Sequence, residues 1–471
     1  MFERLDQTRS LTANQMRIVV AAILGDMLEF FDYFLIGFVL AFIVVPWKLS
    51  FGQSAIILLS SGIGAILGAA IWGRLADRIG RRAVFIGTVL NFSIATGILA
   101  LTPDEGWIFL TVFRFFVGFG VGGLYCVDLP LVQEFVPASR RGFIGGLVTA
   151  FIPIGVMIGS VLGAFLTPVI GWRGLFACGL VPALLALLIR AWVPESPRWL
   201  VRMGRPEEAR RSLAWALKVP PESLPLPQIN EAATRKTPWS DLFRYPRSLL
   251  VSWLTNLGMQ TTGYGVILWA PTLFVMLLGV SPAEASYLFI FVSLAGFVGR
   301  FVFSGLSELI GRRASGALQG FGAAVMVVAA GLLHDSFIGT VSVFWLLIIA
   351  ADFFFDGGSA IMGPYAAEVW PSTLRTSGMG SAYGFGGIGK IIGPIGLALI
   401  VGSSNIVKPD VTIAAILPSF LYLGAWSALA GFAYAFIGFE TKGRSLEEID
   451  QGLIAGRGPV TPAVEASRQS A

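Results

Sequence analysis

Charged residues are scarce in this 471-residue chain: they make up 13% of it, against roughly 25% in a typical soluble domain. Hydrophobic residues make up 55%, and the mean hydropathy is +0.77. A chain with so little charge is too apolar to fold as a water-soluble globule of any class. The composition therefore excludes a soluble protein and indicates one that lies in a membrane.

Cysteine and histidine are also scarce. The two cysteines, Cys126 and Cys178, lie inside apolar blocks, and the one histidine, His334, lies at the expected outer end of a helix. We interpret the cysteines as packing residues and the histidine as interfacial. The sequence contains no metal-ligand cluster and no nucleotide-binding loop. An enzyme is therefore not expected, and neither a metal nor a cofactor is predicted.

The chain instead has long apolar blocks of the length that crosses a bilayer, about 20 residues. The first block is too long and too acidic for a secretory signal, so we expect it to be retained. Boundaries at charge, Pro and Gly predict twelve spans, at residues 17–46, 53–75, 83–102, 107–135, 142–170, 173–193, 248–278, 283–306, 314–334, 340–369, 376–404 and 410–438.

The only long polar gap, about 194–247, separates six spans from six. We therefore predict an all-α membrane protein made of two six-helix bundles. The predicted domains are residues 1–193, a linker with short helices at 194–247, a second bundle at 248–438 and a tail at 439–471.

Lysine and arginine predict the orientation, because they collect on the cytoplasmic side. Three of the 33 fall outside and four fall within spans, which leaves 26 on the side of the N-terminus. Both termini are therefore expected in the cytoplasm, in a cell inner or plasma membrane. We interpret the net charge of +5 as an insertion signal, so no nucleic-acid partner is expected.

The two halves contain repeated motifs. GRLADRIGRR (73–82) matches SGLSELIGRR (304–313), and EFVPASRR (134–141) matches EVWPSTLR (368–375). The offsets are 231 and 234 residues. Two matches at nearly one offset, in corresponding places, predict a duplicated six-helix unit.

These motifs resemble those of a known family. GRLADRIGRR resembles the signature loop between helices two and three of the major facilitator superfamily. PESPRWL (194–200) and FETKGRSLEE (439–448) resemble the sugar porters and related metabolite transporters. The resemblance implies twelve helices in two pseudo-symmetric bundles, transport by alternating access, and a central path lined by helices one, four, seven and ten.

Charged residues of the repeated motifs are predicted to gate the cytoplasmic side. Asp77, at a helix end, can meet Arg78, Arg141 or the positive N-terminus of a neighbouring helix. Such contacts would hold one state and break in the other, although a role as insertion signals and helix caps stays open. The predicted gating residues are Asp77, Arg81, Glu134 and Arg141, with their repeat mates Glu308, Arg312, Glu368 and Arg375.

The segment GDMLEFFDYF (25–34) places Asp26, Glu29 and Asp32 inside an apolar run. A charge at mid-bilayer costs about 2.5–3.5 kcal/mol. The three acids fall within an arc of about 120°, so one helix face can carry all of them.

Further charges within predicted spans are Arg114 and Asp128 in helix four, Asp352 and Asp356 in helix ten, and Lys390 in helix eleven. The position that matches Asp128 in the repeat is Met362, and this asymmetry favours function over structure.

The resemblance assigns proton coupling to some of these charges. In proton-coupled sugar porters an Asp of helix one faces an Arg of helix four, and Asp32 and Arg114 occupy similar places here. Glu29 and Asp32 also resemble the acidic pair of aromatic-acid/proton symporters. The predicted proton-coupling residues are Asp32, Glu29, Arg114, Asp26 and Asp128.

Helix seven bears on the substrate. Sugar porters use a Gln-Gln pair and an Asn there, whereas MQTTGYGVILWAPTLF (259–274) keeps only Gln260 and resembles organic-acid and metabolite transporters.

Lys390 is expected either to hold a substrate carboxylate or to pair with Asp352 or Asp356. Arg300 and Arg190 are interpreted as snorkelling near cytoplasmic helix ends. The predicted substrate contacts are Lys390, Gln260, Tyr264, Trp269, Asp352 and Asp356.

The function that fits best is symport of a small organic acid, an aromatic acid or another carboxylate, with protons. An inside-negative potential opposes anion entry by about 2.3 kcal/mol per charge per 100 mV, and a coupled proton removes that opposition. The alternatives are a proton-coupled sugar or polyol symporter and a proton antiporter that exports an organic cation or drug. A non-transporting sensor and a channel fit less well. The expected partners are the bilayer, a small-molecule substrate and protons, and the protein is expected to act as a monomer.

Overall fold

The computed structural model describes residues 1–8, 10–124, 126–227, 239–371, 374–443 and 446–454. Part of the predicted linker and the predicted tail beyond residue 454 lie outside these ranges. The described chain is all-α, as the apolar blocks predicted, with one short antiparallel pair of strands, β1 (Phe337–Ile338) and β2 (Val341–Ser342).

The described residues of the first half and the linker form twelve helices. In chain order, α1 to α12 are Phe2–Asp6, Ala13–Ile43, Phe51–Ile79, Arg81–Leu99, Trp107–Leu124, Asp128–Phe135, Arg141–Ala150, Ile152–Val161, Thr167–Cys178, Ala183–Trp192, Pro197–Arg202 and Pro206–Leu217. Short 3-10 segments lie at Ala138–Arg140 and Pro221–Ser223, and a π-helical turn at Leu162–Leu166 joins α8 to α9.

In the second half, the part of the chain that the structure describes forms eight helices. In chain order, α13 to α20 are Pro246–Leu278, Pro282–Ile310, Arg312–Leu332, Val343–Glu368, Arg375–Gly387, Gly389–Val401, Pro409–Phe432 and Leu446–Ile454. A 3-10 segment at Trp239–Arg244 precedes them, and a π-helical turn at Ala433–Ile437 follows α19.

Local sequence signals explain where the long helices begin. The side chain of Thr12 accepts a hydrogen bond from the Gln15 backbone, and the Gln15 side chain bonds back to Thr12, a capping box at the start of α2. The repeated motifs start α4 and α15 in a different way. Gly80 (φ 104) and Gly311 (φ 95) precede them in a backbone conformation that favours glycine, which lets two helices meet at one residue.

Ten of the described helical segments are long and apolar enough to cross a bilayer. Helix α2 is also long enough, at 31 residues, but it carries the three acids inside its apolar run. The segment Ala138–Cys178 spans 41 residues and holds the predicted fifth span together with the start of the sixth. The chain leaves the helical conformation at Gly171 (φ 72), and α10 then completes the sixth span.

The described residues fall into two compact units by their contacts. The first contains those within Met1–Arg235, Ile267–Leu294 and Val401–Thr412, and the second those within Lys236–Val266, Ala295–Ile400 and Ile413–Ala471. Each unit brings together its own share of the candidate site residues. The domain boundaries given above stay predictions.

Within the first unit, α3 and α5 pack backbone against backbone through glycine. A Cβ atom at Gly118 would overlap the carbonyl oxygen of Ser61, and one at Gly122 would overlap that of Ala65. Gly64 and Gly68 meet carbonyl oxygens of α5 in the same way. Small residues allow this close approach in membrane helices, where lipid supplies no hydrophobic drive for association.

We expect Gly118→Ala to lower the melting temperature of the purified protein. An added methyl group must push two backbones apart, and overpacking of this kind costs about 1–3 kcal/mol. Gly73→Ala on α3 is the matched control, because a Cβ there would meet nothing within 4 Å. Alanine favours a helix over glycine by about 1 kcal/mol, so the control should hold or raise the melting temperature. A drop of equal size in both variants would contradict this account.

Candidate functional site

Asp32 and Arg114, predicted to face each other, come together in the first unit. Both are 0% exposed. The Arg114 guanidinium donates from Nη1 to the Asp32 backbone carbonyl (2.9 Å) and from Nη2 to that of Tyr33 (2.5 Å). It also lies over the Tyr33 ring, 5.7 Å from its centroid. The arginine of α5 is therefore anchored to the backbone of α2.

The Asp32 carboxyl occupies a separate niche beside the guanidinium. Thr96 of α4 lies next to it, and an ideal Cβ at Gly179 would be 2.9 Å from Asp32 Oδ1. Arg114 interacts with the carboxyl electrostatically. Because both Nη atoms donate to backbone carbonyls, the carboxyl can change its charge without releasing the arginine. The sequence did not indicate Gly179, since nothing in its neighbourhood marks it as adjacent to Asp32.

The remaining predicted coupling acids gather one to two turns along α2. Asp26 is 1% exposed, Glu29 is 2% exposed, and Asp128, in the first turn of α6, is 0% exposed. The Asp26 and Asp128 side chains interact directly. The face of α2 that the spacing predicted thus carries all three acids into the protein interior.

The gating candidates of the first unit form a charged network. Arg81 pairs with Glu134, which also accepts a hydrogen bond from the Ser196 hydroxyl. Glu195 accepts hydrogen bonds from the backbone N–H groups of Arg81 (2.9 Å) and Arg82 (3.1 Å), at the start of α4. The PESPRWL segment thus joins the loop that begins α4 to the end of α6.

The second unit repeats this network. Arg312 pairs with Glu368 (2.9 Å), which also accepts a hydrogen bond from the Thr441 hydroxyl (2.6 Å). Glu440 accepts hydrogen bonds from the backbone N–H groups of Arg312 (2.9 Å) and Arg313 (3.1 Å). The duplication predicted from sequence therefore extends to individual contacts.

Arg141 and Arg375 also behave as mates. The Arg141 Nε atom donates to the Gln133 carbonyl (3.0 Å), and the Arg375 Nε atom donates to the Ala367 carbonyl (3.1 Å). Each arginine closes the turn that follows the repeated Glu of its motif. Arg141 is also 3.7 Å from Asp6 of α1.

The contacts of Asp77 differ from those considered from the sequence. Its Oδ1 atom lies 3.0 Å from Nη2 of Arg202, and its backbone carbonyl accepts from the Trp199 indole (3.0 Å). Both partners belong to α11, which turns back against the end of α3. The repeat mate Glu308 instead pairs with Arg312 (2.9 Å), one turn away.

Glu195 and Glu440 are network members that the sequence reasoning missed as site residues. The quoted motifs PESPRWL and FETKGRSLEE contain them, so the signal was present. Their offset is 245 residues, unlike the 231 and 234 of the other repeats, because the segments between them differ in length. This difference hid the correspondence.

We expect Glu440→Gln to destabilise the protein. Its carboxylate accepts from four backbone N–H groups, those of Arg312, Arg313, Thr441 and Lys442, and an amide retains only one acceptor. Loss of a helix cap costs about 0.5–2 kcal/mol, which thermal unfolding in detergent can resolve. Glu208→Gln is the control: it removes an exposed pair with Arg205, worth about 0–1 kcal/mol. Equal shifts in both variants would contradict the capping role.

Asp352 and Asp356 of α16 are buried, as expected for membrane acids, but the cation beside them was misjudged. Arg300, interpreted from sequence as snorkelling, is 6% exposed, and its Nη2 atom lies 2.8 Å from Asp356 Oδ1. The position of Arg300 along α14 led to that interpretation. The error arose because the position of a residue along a helix does not show in which direction its side chain points.

Lys390 lies on α18 and reaches α13. Its Nζ atom is 5.0 Å from the centroid of the Tyr264 ring, a cation–π distance. Two predicted contacts, Lys390 and Tyr264, are thus adjacent. The ring contact is the observed position of Lys390, and both of its alternatives, a contact with a substrate carboxylate and a pair with Asp352 or Asp356, stay predictions.

Gln260 lies one turn before Tyr264 on the same face of α13. It is 6% exposed, and its Nε2 atom has no hydrogen-bond partner among the described residues. One turn earlier, Asn256 is 0% exposed and donates to the Ser252 carbonyl (2.9 Å), but its Oδ1 atom likewise has no partner within the described chain. Unsatisfied buried polar atoms cost about 1–3 kcal/mol each, so a ligand that satisfies them would gain that energy.

Aromatic rings extend this face. Trp253, one turn before Asn256, stacks on Phe385 of α17 with centroids 4.4 Å apart and planes inclined by 17°. We call the face formed by Trp253, Asn256, Gln260 and Tyr264 the α13 face; together with Lys390 it offers a cation, an amide donor and aromatic surfaces. Such a set can bind a small anion that carries an apolar body or a ring.

Trp269 does not join the α13 face. It belongs to the first unit, is 0% exposed and stacks on Phe51 at 5.6 Å. An indole enclosed in this way packs a helix end. The role of Trp269 as a substrate contact stays a prediction.

Comparison with known proteins agrees with this architecture. Residues 18–453 match the family model described as "Sugar (and other) transporter". The chain is 31% identical over 433 residues to the niacin transporter NiaP of Acinetobacter baylyi, which covers 90% of this chain and 94% of that protein. It is 25% identical over 386 residues to the cis,cis-muconate transport protein of the same organism, covering 82% and 87%.

A solved structure of the xylose transporter XylE from E. coli, in a partially occluded inward-open conformation, has the same fold. The TM-score is 0.72 at 20% identity, over 92% of this chain and 100% of that one. At this identity the likeness concerns the fold alone. The predicted all-α fold with twelve membrane-spanning helices in two pseudo-symmetric bundles is confirmed.

Proposed function

The chain belongs to the sugar (and other) transporter family of the major facilitator superfamily, and we propose that it carries a small organic anion across the membrane together with protons. It is a multi-pass membrane transporter and not an enzyme. The observation that supports the anion most strongly is the α13 face with Lys390. The names of two relatives, a niacin transporter and a cis,cis-muconate transport protein, refer to carboxylic acids and support the same class.

The chemistry of the α13 face favours a carboxylate over a sugar. The Lys390 ammonium attracts a negative charge, and the Gln260 Nε2 atom adds a hydrogen-bond donor that has no partner among the described residues. Tyr264 supplies a flat surface against which a ring can lie. A sugar needs several paired donors and acceptors around its hydroxyl groups, whereas this face offers one unsatisfied amide donor and one unsatisfied amide acceptor beside a cation and aromatic area.

The buried Asp32 supports coupling to protons. Charge on a carboxyl that is 0% exposed is costly, and a proton removes that charge. Arg114 stays anchored to backbone carbonyls, so Asp32 can exchange a proton in place. For a monovalent anion, one coupled proton cancels the opposition of an inside-negative potential, about 2.3 kcal/mol per 100 mV.

The charge distribution and the relatives support a location in a membrane and an orientation of the termini. We propose an inner or plasma membrane location with both termini in the cytoplasm, and a monomer as the transporting species. The repeated networks around Arg81 and Arg312 lie in loops that the distribution of Lys and Arg predicts to be cytoplasmic. We propose that these networks latch that side during alternating access.

Uptake into proteoliposomes that contain the full chain tests the proposal. Radiolabelled niacin, nicotinamide, cis,cis-muconate, benzoate and xylose would be compared under an inward proton gradient. We expect one or more carboxylates to accumulate, xylose to stay at the level of protein-free vesicles, and collapse of the gradient to stop accumulation. Accumulation of xylose, or expulsion of an organic cation in exchange for protons, would overturn the proposal in favour of one of the two alternatives.

A further inference from the structure

Arg300 of α14 and Asp352 and Asp356 of α16 form a buried charged group, here called the triad. The Arg300 Nη2 atom is 2.8 Å from Asp356 Oδ1, and the two side chains are 7% and 12% exposed. Asp352, one turn before Asp356, is 6% exposed and interacts electrostatically with both. The triad lies within the second unit, separate in the chain from Asp32.

The two carboxyl groups converge on one place. An ideal Cβ at Gly296 would lie 2.5 Å from Asp352 Oδ2 and 2.6 Å from Asp356 Oδ2. The two oxygens are therefore no more than 5.1 Å apart, the sum of these distances. Any larger residue at this position of α14 would fill the space at which both carboxyls point.

The charges of the triad do not balance if both acids are ionised. Two carboxylates and one guanidinium leave one negative charge in a buried contact, where an uncompensated ion is strongly destabilising. Helix α15 packs against α16 and presents the neutral side chain of Gln319 to it. Gln319 lies against Gly358 of α16 and donates a hydrogen bond to the Met259 sulfur. The cation of α18, Lys390, lies over the Tyr264 ring. Among the described residues, the charged groups that interact with Asp352 are Asp356 and Arg300.

We infer that the triad is a proton-binding site in which Asp352 and Asp356 share one proton while Arg300 balances the remaining charge. One proton makes the triad neutral, and two acids that approach each other closely hold a proton between them. A metal ion fits poorly, because it needs several oxygen ligands at about 2.0–2.6 Å and Arg300 would repel it.

The triad resembles the Asp32–Arg114 arrangement in composition: each joins acid and arginine from two packed helices. In the triad, however, the arginine binds the Asp356 carboxylate directly, so Asp352 shares that one cation with Asp356. A proton on Asp352 or Asp356 would therefore be exchangeable while the Arg300–Asp356 contact persists. This assigns to the second repeat a second coupled proton, a role that rests on the proposed function.

Infrared spectroscopy of the purified full chain, without solute or gradient, tests the site itself. A protonated carboxyl has its own C=O stretching band, which an ionised one lacks. We expect the wild type to show such a band at neutral pH and Asp352→Asn to lose part of it. Asp356→Asn should lose the same component, because Asp352 would then ionise and pair with Arg300. Asp335→Asn, at an exposed position, is the control and should leave the band unchanged.

Stability gives a second readout. Either single Asn variant has one acid and one arginine, so its melting temperature should match or exceed that of the wild type. The double variant Asp352→Asn/Asp356→Asn leaves Arg300 buried without an acid and should melt several degrees lower. Persistence of the full band in both single variants would overturn the proton site. So would a melting temperature that rises with sodium chloride but not with choline chloride, which would indicate a sodium ion.

The coupling role is tested by the proton-to-solute ratio, measured from reversal potentials in proteoliposomes. Asp352→Asn should couple one proton fewer than the wild type. If the infrared component is lost but the ratio is unchanged, the coupling role of the triad is overturned. If the wild type moves solute with no proton flux, the proposed function fails, and the infrared result still decides whether the triad holds a proton.

Discussion

Asp32→Asn is expected to abolish proton-driven accumulation while leaving exchange of labelled for unlabelled solute across the membrane. The asparagine side chain cannot gain or lose a proton at neutral pH, but it fills the same niche beside Arg114, Thr96 and Gly179. Exchange requires only that the loaded carrier change its orientation. Accumulation requires that a proton be bound on one side and released on the other.

The expected size of this effect follows from the membrane potential. Without a coupled proton, 100 mV inside negative opposes a monovalent anion by about 2.3 kcal/mol. At about 1.4 kcal/mol per tenfold change, the anion inside falls to roughly one fiftieth of its outside concentration. An anion that moves together with one proton carries no net charge, so the membrane potential does not oppose it. A pH gradient of one unit then drives about tenfold accumulation.

Steady-state uptake at fixed potential and pH gradient measures the difference. Asp335→Asn, the same chemical change at an exposed residue, is the control. Equal accumulation in Asp32→Asn and the wild type would remove Asp32 from the coupling mechanism. Loss of both accumulation and exchange would show that the residue serves binding or folding instead, which the melting temperature would separate.

Lys390→Met is expected to raise the half-saturating concentration of a carboxylate substrate by about 10- to 100-fold. A hydrogen bond to a charged group is worth about 1.5–3 kcal/mol, and tenfold in affinity is about 1.4 kcal/mol. Methionine keeps the length of the side chain and an apolar contact with Tyr264. Lys390→Arg retains the charge and should recover most of the affinity.

Niacin and its amide form a matched pair of solutes for this test. If Lys390 holds the carboxylate, Lys390→Met should weaken the binding of niacin far more than that of nicotinamide, because nicotinamide is neutral and makes no charge interaction with Lys390. Lys408→Met, at an exposed cation near the start of α19, controls for a general effect of lowering the charge. A similar loss for niacin and nicotinamide would show that Lys390 shapes the site without binding the carboxylate.

Much of this architecture was predictable from the sequence for identifiable reasons. Apolar blocks of bilayer length indicate the spans, and two motif pairs at nearly equal offsets indicate the duplication. The three-residue spacing of Asp26, Glu29 and Asp32 indicates one buried face of α2. The contact between Asp32 and Arg114 was predicted by family resemblance, since no local pattern joins residues 82 positions apart.

Other contacts depend on how helices pack, which one sequence does not show. Arg202 meets Asp77 only because α11 turns back against α3. Arg300 lies near a predicted helix end, yet it points toward Asp356 on a neighbouring helix. Asn256 precedes the motif used to judge helix seven, and its unsatisfied oxygen is visible only once Ser252 is seen to take its amide.

The direct test of the central claim is proton entry in wild-type proteoliposomes that contain a trapped pH-sensitive dye, with the potential clamped by potassium and valinomycin. We expect addition of a transported carboxylate to acidify the interior faster than in protein-free vesicles or in vesicles with Asp32→Asn. Xylose should cause no such change. Carboxylate uptake without extra acidification, or alkalinisation on addition of an organic cation, would contradict proton-coupled symport of an organic anion.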